Sequence, residues 1–440
     1  MTEKYKRIMV DMSATLIHQG HINLLMAAKE YGEVIVGLTT DQEIFDHKGY
    51  YPELTYTERK EVLKAIKYVE DVVPVPWLIN EQVLEKYQID FLVHGDDNAN
   101  QINDKKMITL PRTPGISSTG IRESALRAIT EKNNNKLMLT PGPASIGHEN
   151  LLSIKPCFGR GDIEYDDIYD STINWLKDIA EQDEIVSMQG SASLAIEVAL
   201  RNFVSGRVLI ISSGYYSDRL LKLIDNNLCS VKLCKYTDLD SIRGCFDWVL
   251  CAYTETSMAL KLDLQYVHSK CKLLKAKLFI DATGSIGLEE DHGLADVIAF
   301  SSCKGLFGLT GAAFVCYKSN QPTNMVREFS FDINTYKNKS TTGPYHAISS
   351  IHGIMNKHGE LVRRVKKSKD FIINNYKDIV RTDSQPLLCT FLKADIIPKD
   401  ENVILYNTRE KINGSIICHL GEVFSEKVNL DKRITIIPRK

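Results

Sequence analysis

The sequence holds no Cys-x-x-Cys pair, no apolar run approaching the width of a bilayer and no surplus of basic charge. Its 10 cysteines are spread without even spacing. That excludes a disulfide framework and a paired-cysteine redox or zinc motif, and it predicts reduced thiols in a cytoplasmic protein. A helix that spans a membrane needs about 20 apolar residues in a row, and none is present, so no membrane partner is expected. The first residues, Met1 to Lys6, lack the apolar stretch of a secretory leader. Lys and Arg total 54 against 56 Asp and Glu, a net charge of −2. Nucleic acid is therefore a poor partner, and small molecules are the expected ones. What is present is ordinary for a globular chain: 43% hydrophobic and 25% charged residues. A length of 440 residues corresponds to about three compact domains.

Two strand–helix alternations follow one another. Strands are expected at 7–12, 33–39, 71–76 and 90–94, with helices at 21–31, 57–66, 81–87 and 118–129. Such alternation predicts a parallel sheet with right-handed crossovers. Residues 131–136, with Asn133, Asn134 and Asn135 among them, carry too little apolar surface to pack. They read as a linker that closes a first domain at 1–130. A second α/β pattern covers 137–317, with helices at 168–181 and 193–203 and strands at 207–212, 248–252, 278–281, 297–301 and 312–317. From 318 to 440 a basic helical stretch at 359–376 precedes short β-like pieces at 387–392, 403–406 and 434–437, which predicts a smaller α+β domain.

Ile17-His18-Gln19-Gly20-His21 lies at the first strand-to-helix junction. Gly20 lets the backbone turn and come close to a ligand. A helix start presents free N–H groups and a positive dipole end, which suit phosphate. The histidines can donate hydrogen bonds to an α-phosphate whose charge grows in a transition state. In Pro111-Arg112-Thr113-Pro114-Gly115-Ile116-Ser117-Ser118-Thr119, Pro and Gly force a loop and the hydroxyls cap the next helix. Arg112 and those hydroxyls can hold β- and γ-phosphates. Gly95-Asp96-Asp97 follows a strand, where an open α/β sheet places its ligands.

These three segments together resemble the cytidylyltransferases of the glycerol-3-phosphate and phosphoethanolamine type over about residues 5–128. Met12-Ser13-Ala14, Gly20-His21-Ile22-Asn23 and Leu54-Thr55-Tyr56 look closer still to the cytidylyltransferase domains fused to phosphoenolpyruvate mutases, which start phosphonate biosynthesis. The resemblance implies a Rossmann-like nucleotidyltransferase domain in which His18 and His21 stabilise the transition state and Lys48 reaches the α-phosphate and acceptor. It implies that Met12, Ser13, Gly20, Gly95, Asp96, Asp97, Arg112, Gly115, Ile116, Ser117, Ser118 and Thr119 bind the nucleotide. Trp77 falls near the acceptor pocket, Mg²⁺ accompanies CTP, and no resident metal is expected. Thr15 stands where the family has an aspartate that helps place Mg²⁺ and triphosphate; Asp11 is the nearest acid on the preceding strand.

The second candidate centre is Ser301-Ser302-Cys303-Lys304-Gly305, after an apolar strand. Asp281 ends another strand, where a carboxylate can pair with a protonated pyridine nitrogen while a lysine holds an aldehyde cofactor. Gln189-Gly190-Ser191-Ala192-Ser193 opens an apolar helix whose N–H groups can cradle phosphate. Tyr215 and Tyr216 offer a ring to stack. With Leu139-Thr140-Pro141-Gly142-Pro143, Glu255-Thr256-Ser257 and Gly311 to Val315, this set resembles the class V pyridoxal-phosphate aminotransferases over about 137–440, most of all those of the 2-aminoethylphosphonate–pyruvate type.

That resemblance implies the type I fold of pyridoxal 5'-phosphate-dependent transferases, with a large and a small domain. It assigns Lys304 to holding the cofactor and shuttling protons, Asp281 to the ring nitrogen, and Gly190, Ser191 and Ala192 to the phosphate. Tyr216 stacks on the ring and Thr256 touches its 3-hydroxyl; Pro141, Gly142 and Arg433 bind substrate. Thr342 reaches the neighbouring subunit's cofactor phosphate, which implies a homodimer. Both resemblances together imply a bifunctional enzyme. It transaminates phosphonoacetaldehyde to 2-aminoethylphosphonate and then transfers CMP from CTP, releasing pyrophosphate. The alternatives are the same chemistries on phosphoethanolamine or serinol phosphate, and an active aminotransferase beside a nucleotide-sensing first domain.

Overall fold

Runs of Val, Ile and Met supply the strands of the first unit: β1 (Arg7–Met12), β2 (Glu33–Thr39), β3 (Asp71–Val75), β4 (Phe91–Gly95) and β5 (Met107–Leu110). In β1, Ile8 and Val10 join one core cluster while Met9 joins another, so both faces of the sheet are covered, as a parallel sheet requires. The helices are α1 (Gln19–Lys29), α2 (Asp41–Lys48), α3 (Tyr56–Lys64), α4 (Glu81–Lys86) and α5 (Ser118–Asn133). The sheet order is β3-β2-β1-β4-β5, all parallel. Connections wind outward in opposite directions from β1 and β4, so a crevice opens beyond Met12 and Gly95.

The computed structural model describes the chain except residues 1–5, 96–98, 101, 134, 135, 155–157, 160, 226, 320, 424–429 and 440. Contacts divide it into two units, Met1–Ile129 and Thr130–Lys440.

Two elements of the first unit differ from expectation, and one runs longer. Helix α2 buries only Ile44, so it has no apolar stripe to read; Thr40 starts it by accepting from Glu43 N–H, and Gly49 ends it at φ 74°. Strand β5 is only four residues long. Helix α5 continues to Asn133, into the segment expected to be a linker, because no Pro or Gly follows Gly120 until Pro141.

The crevice walls are braced by Arg59, which is fully buried. It pairs with Asp41 at 2.6 Å and donates to the carbonyls of Ser13, Thr39 and Leu54. Loss of a buried charge partner that also serves three carbonyls costs about 3 kcal/mol or more. Arg59→Met is therefore expected to lower the N-terminal calorimetric transition of the full chain by roughly 10 °C or more. An unchanged transition would refute the bracing role.

The second unit centres on a seven-stranded sheet, in the order Glu184–Gln189, Ala312–Tyr317, Val297–Ser301, Lys277–Asp281, Trp248–Ala252, Gly206–Ser212, Cys229–Lys235. Ala312–Tyr317 runs antiparallel to both neighbours; the other paired strands run parallel. Helices Ile163–Ala180 and Ala192–Phe203 pack on opposite faces, in separate core clusters. A smaller lobe holds the strand pairs Cys389–Leu392 with Ser415–Cys418 and Ala394–Pro398 with Ile434–Pro438.

Two segments cross the expected boundaries 137–317 and 318–440. Leu137–Leu139 pairs in parallel with Val403–Leu405 and belongs to the smaller lobe. Ile333, Ile348 and Ile351 lie past 318 yet pack into the cores of the large sheet. Among the described residues no helix is long and apolar enough to cross a membrane.

Candidate active sites

At the crevice of the first unit, a cavity of about 330 Å³ is lined by Met12, Ser13, His18, Gly20, His21, Lys48, Gly95, Arg112, Ile116, Ser117, Ser118 and Thr119, all expected from the sequence. Asp11, Thr15, Tyr50, His94 and Arg122 line it as well. Asp96 and Asp97 lie outside the described residues. Gly115 is absent from the lining; at φ 77° it makes the turn that presents Ile116 and Ser117.

The two imidazoles fix each other and the helix start. Gly20 N–H donates to His18 Nδ1 at 3.2 Å, and His18 N–H donates to His21 Nδ1 at 3.3 Å. A ring nitrogen that accepts from a backbone N–H carries no proton, so each neutral ring keeps its proton on Nε2. The ring centroids are 4.0 Å apart. Burial, and then His18, push His21 down to about 4; burial, and then Arg112, lower His18. Both are neutral donors at pH 7. Gly20 lets the ring sit close: a Cβ there would stand 3.0 Å from His18 Cε1 and press on the imidazole. The geometry corrects one expectation: the N–H groups of His18 and Gly20 are taken by the histidines, so the start of α1 offers less to phosphate than its sequence implies.

Helix α5 is tied to the same loop. Ser117 Oγ accepts from Gly120 N–H at 3.0 Å, and Ser118 Oγ donates to Leu16 O at 3.2 Å. Lys48 ends α2 with its ammonium 5.2 Å from the Trp77 ring centre, while His47 stacks on the same ring at 4.9 Å. Burial, followed by Arg122, lowers Lys48. Trp77 itself is not in the described lining but stands behind Lys48.

In the second unit, strand ends converge on a cavity of about 220 Å³ lined by Ser191, Ala192, Tyr216, Thr256, Asp281 and Lys304, as expected. Asp281 is buried at the end of its strand, and accepts from Thr283 N–H at 3.0 Å and from Arg219 Nη2 at 3.4 Å. Lys304 Nζ lies 5.7 Å from the Tyr216 ring centre. Gly142 packs on the lysine stem; a Cβ there would come within 2.9 Å of Lys304 Cγ. Fully buried Glu255 accepts from Tyr216 and Ser217 N–H at 3.0 Å each and so aims the helix that carries Tyr216. Burial raises the Glu255 carboxyl against the pull of those hydrogen bonds.

Ser193 and Ser301, from the two motifs named in the sequence, line it too; Arg219, Thr254, Thr283 and Gly284 complete the lining and were not foreseen. The signal available for Arg219 was its place three residues after Tyr216, on one helix face. Arg433 is held by Asp400 through two bonds, 2.7 and 2.9 Å, and is not among the residues that line the cavity. Thr342 does not line it either; Thr341 and Gly343 border a separate cavity with Tyr165, Tyr169 and Tyr345.

The first cavity lies at the switch point of a Rossmann-like sheet. The pattern of the cytidylyltransferase-like family matches residues 14–124. Glycerol-3-phosphate cytidylyltransferase of Staphylococcus aureus is 39% identical over 126 residues, which are 27% of this chain and 93% of that protein. By these matches the chain belongs to the cytidylyltransferase family. Ethanolamine-phosphate cytidylyltransferase of Mus musculus is 34% identical over 131 residues, 27% of this chain; the match spans about a third of that relative's length, 32%.

The second unit has the fold of solved aminotransferases. Aspartate aminotransferase of Thermus thermophilus superposes with a TM-score of 0.58 at 16% identity, covering 67% of this chain and 95% of that one. Alanine–glyoxylate aminotransferase of Nostoc sp. gives 0.56 at 17%, covering 66% and 91%.

Proposed function

We propose that the chain is a two-centre enzyme that makes an aminoalkylphosphonate by amino transfer and then joins it to CMP from CTP, with release of pyrophosphate. The observation that carries this reading is the pairing, in one chain, of a cavity with two Nε2–H imidazoles and a second lined by a lysine and a buried carboxylate.

In the first centre Arg112 and the Ser117–Thr119 hydroxyls hold the triphosphate, and CTP brings Mg²⁺. The acceptor's phosphorus oxygen attacks the α-phosphorus from the Lys48 side. His18 and His21 donate to the oxygens that gain charge, and pyrophosphate leaves. Trp77, already faced by the Lys48 ammonium, is the natural neighbour of an acceptor's ammonium group. The named relatives act on glycerol 3-phosphate and ethanolamine phosphate; 2-aminoethylphosphonate replaces the ester oxygen of the latter with a C–P bond.

The residues of the second cavity fit pyridoxal 5'-phosphate. Thr254 Oγ1 and Arg219 Nε are buried in its wall without a hydrogen-bond partner, and Ser191 leaves the start of Ala192–Phe203 uncapped by a side chain. Ser191, Ala192 and Ser193, with Arg219, would hold the phosphate, while Gly190, outside the lining, gives its N–H to Gly311 O at 3.0 Å; Asp281 would face the ring nitrogen; Lys304 would hold the aldehyde carbon. When bound, the group supplies an electron sink. Lys304 then moves the proton at the amine-bearing carbon, and Tyr216 and Thr256 fix the ring plane. Thr342 is assigned to a neighbouring subunit's centre, which makes the working form a dimer.

The test uses full-length protein with CTP, Mg²⁺ and 2-aminoethylphosphonate, following pyrophosphate, and separately follows amine formation from phosphonoacetaldehyde and alanine. Both reactions are expected. A preference for phosphoethanolamine would move the substrate to the phosphate ester. CTP binding without pyrophosphate release from any aminoalkyl acceptor would make the first unit a sensor.

A further inference from the structure

Arg122 stands near the start of α5 and lines the same cavity as His18 and Arg112. Its guanidinium is gripped from two loops. Nη2 donates to Thr15 Oγ1 at 3.1 Å and to Glu53 Oε2 at 2.6 Å, and Nε donates to Glu53 Oε1. The guanidinium carbon lies 5.1 Å from the Tyr50 ring centre. Thr15, Tyr50 and Arg122 are in the described lining, whereas Glu53 is not. The fork is thus seated on a carboxylate outside the cavity and a hydroxyl inside it.

Which atom sits at position 15 decides how much positive charge the cavity keeps. The Thr15 side chain is 2% exposed. A carboxylate at that depth, in contact with the guanidinium, would neutralise it from within the cavity. A hydroxyl orients the same group and adds no second negative charge to that of Glu53, which lies outside the cavity. Among the described lining residues the cations are Lys48, Arg112 and Arg122, and the carboxylate is Asp11. Asp11 faces His94 at 3.6 Å and accepts from Asn100 at 2.9 Å. Burial, and after it Arg122, disfavours the Lys48 ammonium form. Two cations that repel across a cavity are an arrangement that a polyanion relieves.

We propose that Arg122 is a positioning residue for the β- and γ-phosphates of CTP, seated by Glu53, and that Thr15 is the residue that keeps its charge available to them. This rests on the first cavity being the CTP site. On this account the missing acid at position 15 is no defect, and restoring one would harm binding.

The experiment titrates full-length protein with CTP and with CMP, each with Mg²⁺, by calorimetry. CMP lacks the β- and γ-phosphates and reports the rest of the site and the fold. R122Q is expected to weaken CTP about tenfold or more and CMP less than about threefold. R122K, with the charge but without the fork, should recover part of that loss. T15D should weaken CTP by about fivefold or more while CMP is spared. E53Q, which loosens the fork, should raise KM for CTP and leave kcat within about twofold. Equal losses for CTP and CMP in R122Q, or CTP binding to T15D as tight as to the unaltered chain, would overturn the proposal. Failure of the unaltered chain to bind CTP would instead overturn the reading of the cavity.

Discussion

His21→Ala lowers kcat for CMP transfer by a factor of about 10²–10³ while KM for CTP changes only a few-fold, the pattern expected when one preorganised donor to a developing charge is removed. His18→Ala behaves similarly, with an added loss of stability, because His18 also accepts from Gly20 N–H at the start of α1. The hydrogen-bond pattern sets the sign of the pH dependence. A proton on Nδ1 would displace the backbone donor that each ring accepts. Burial, helped by His18, keeps His21 near a value of about 4, so this ring stays a neutral donor from pH 8 down to about 5. The rate should be level over that span as far as His21 is concerned, and should fall only under stronger acid. Steady-state pyrophosphate release against pH checks both points. A His21→Ala enzyme within about threefold of the unaltered kcat would remove the imidazole pair from the mechanism.

Lys304→Ala abolishes amino transfer, by a factor of at least about 10³, and removes the yellow absorbance of the loaded enzyme. Lys304→Arg keeps the positive charge and should restore neither, because a guanidinium cannot hold an aldehyde or return a proton near neutral pH. Release of pyrophosphate from CTP should be unaffected in both variants, since the two cavities lie in different units of the chain. Amino transfer that survives in Lys304→Ala would mean that another amine serves the second cavity.

Much of this was legible because local pattern and tertiary structure agree. Arg7–Met12, Glu33–Thr39, Trp248–Ala252, Val297–Ser301 and Ala312–Tyr317 were each readable to the residue, since buried strands are unbroken apolar runs with marked ends. The imidazole pair and Lys304 were readable because each lies where a strand ends. What stayed hidden is non-local. Arg122 meets Thr15 across 107 positions of sequence, and Arg219 meets Asp281 across 62; one sequence carries no signal for either pairing. The Arg433 pairing was hidden for the same reason, because its partner Asp400 lies 33 positions away and takes Nε and Nη2 of the fork. Helix α2 was missed because eight mostly polar residues with one buried side chain show no period.

The pairing of Leu137–Leu139 with Val403–Leu405 has a consequence for biosynthesis. The five strands of the first unit are all complete by Leu110, so that unit can fold while the ribosome is still translating the rest. Leu137 and Leu139 are fully or nearly fully buried in the finished lobe, yet the strand that covers them emerges only after some 260 further residues have been made. Until then this short apolar strand waits with an open edge, which a chaperone would shield during translation.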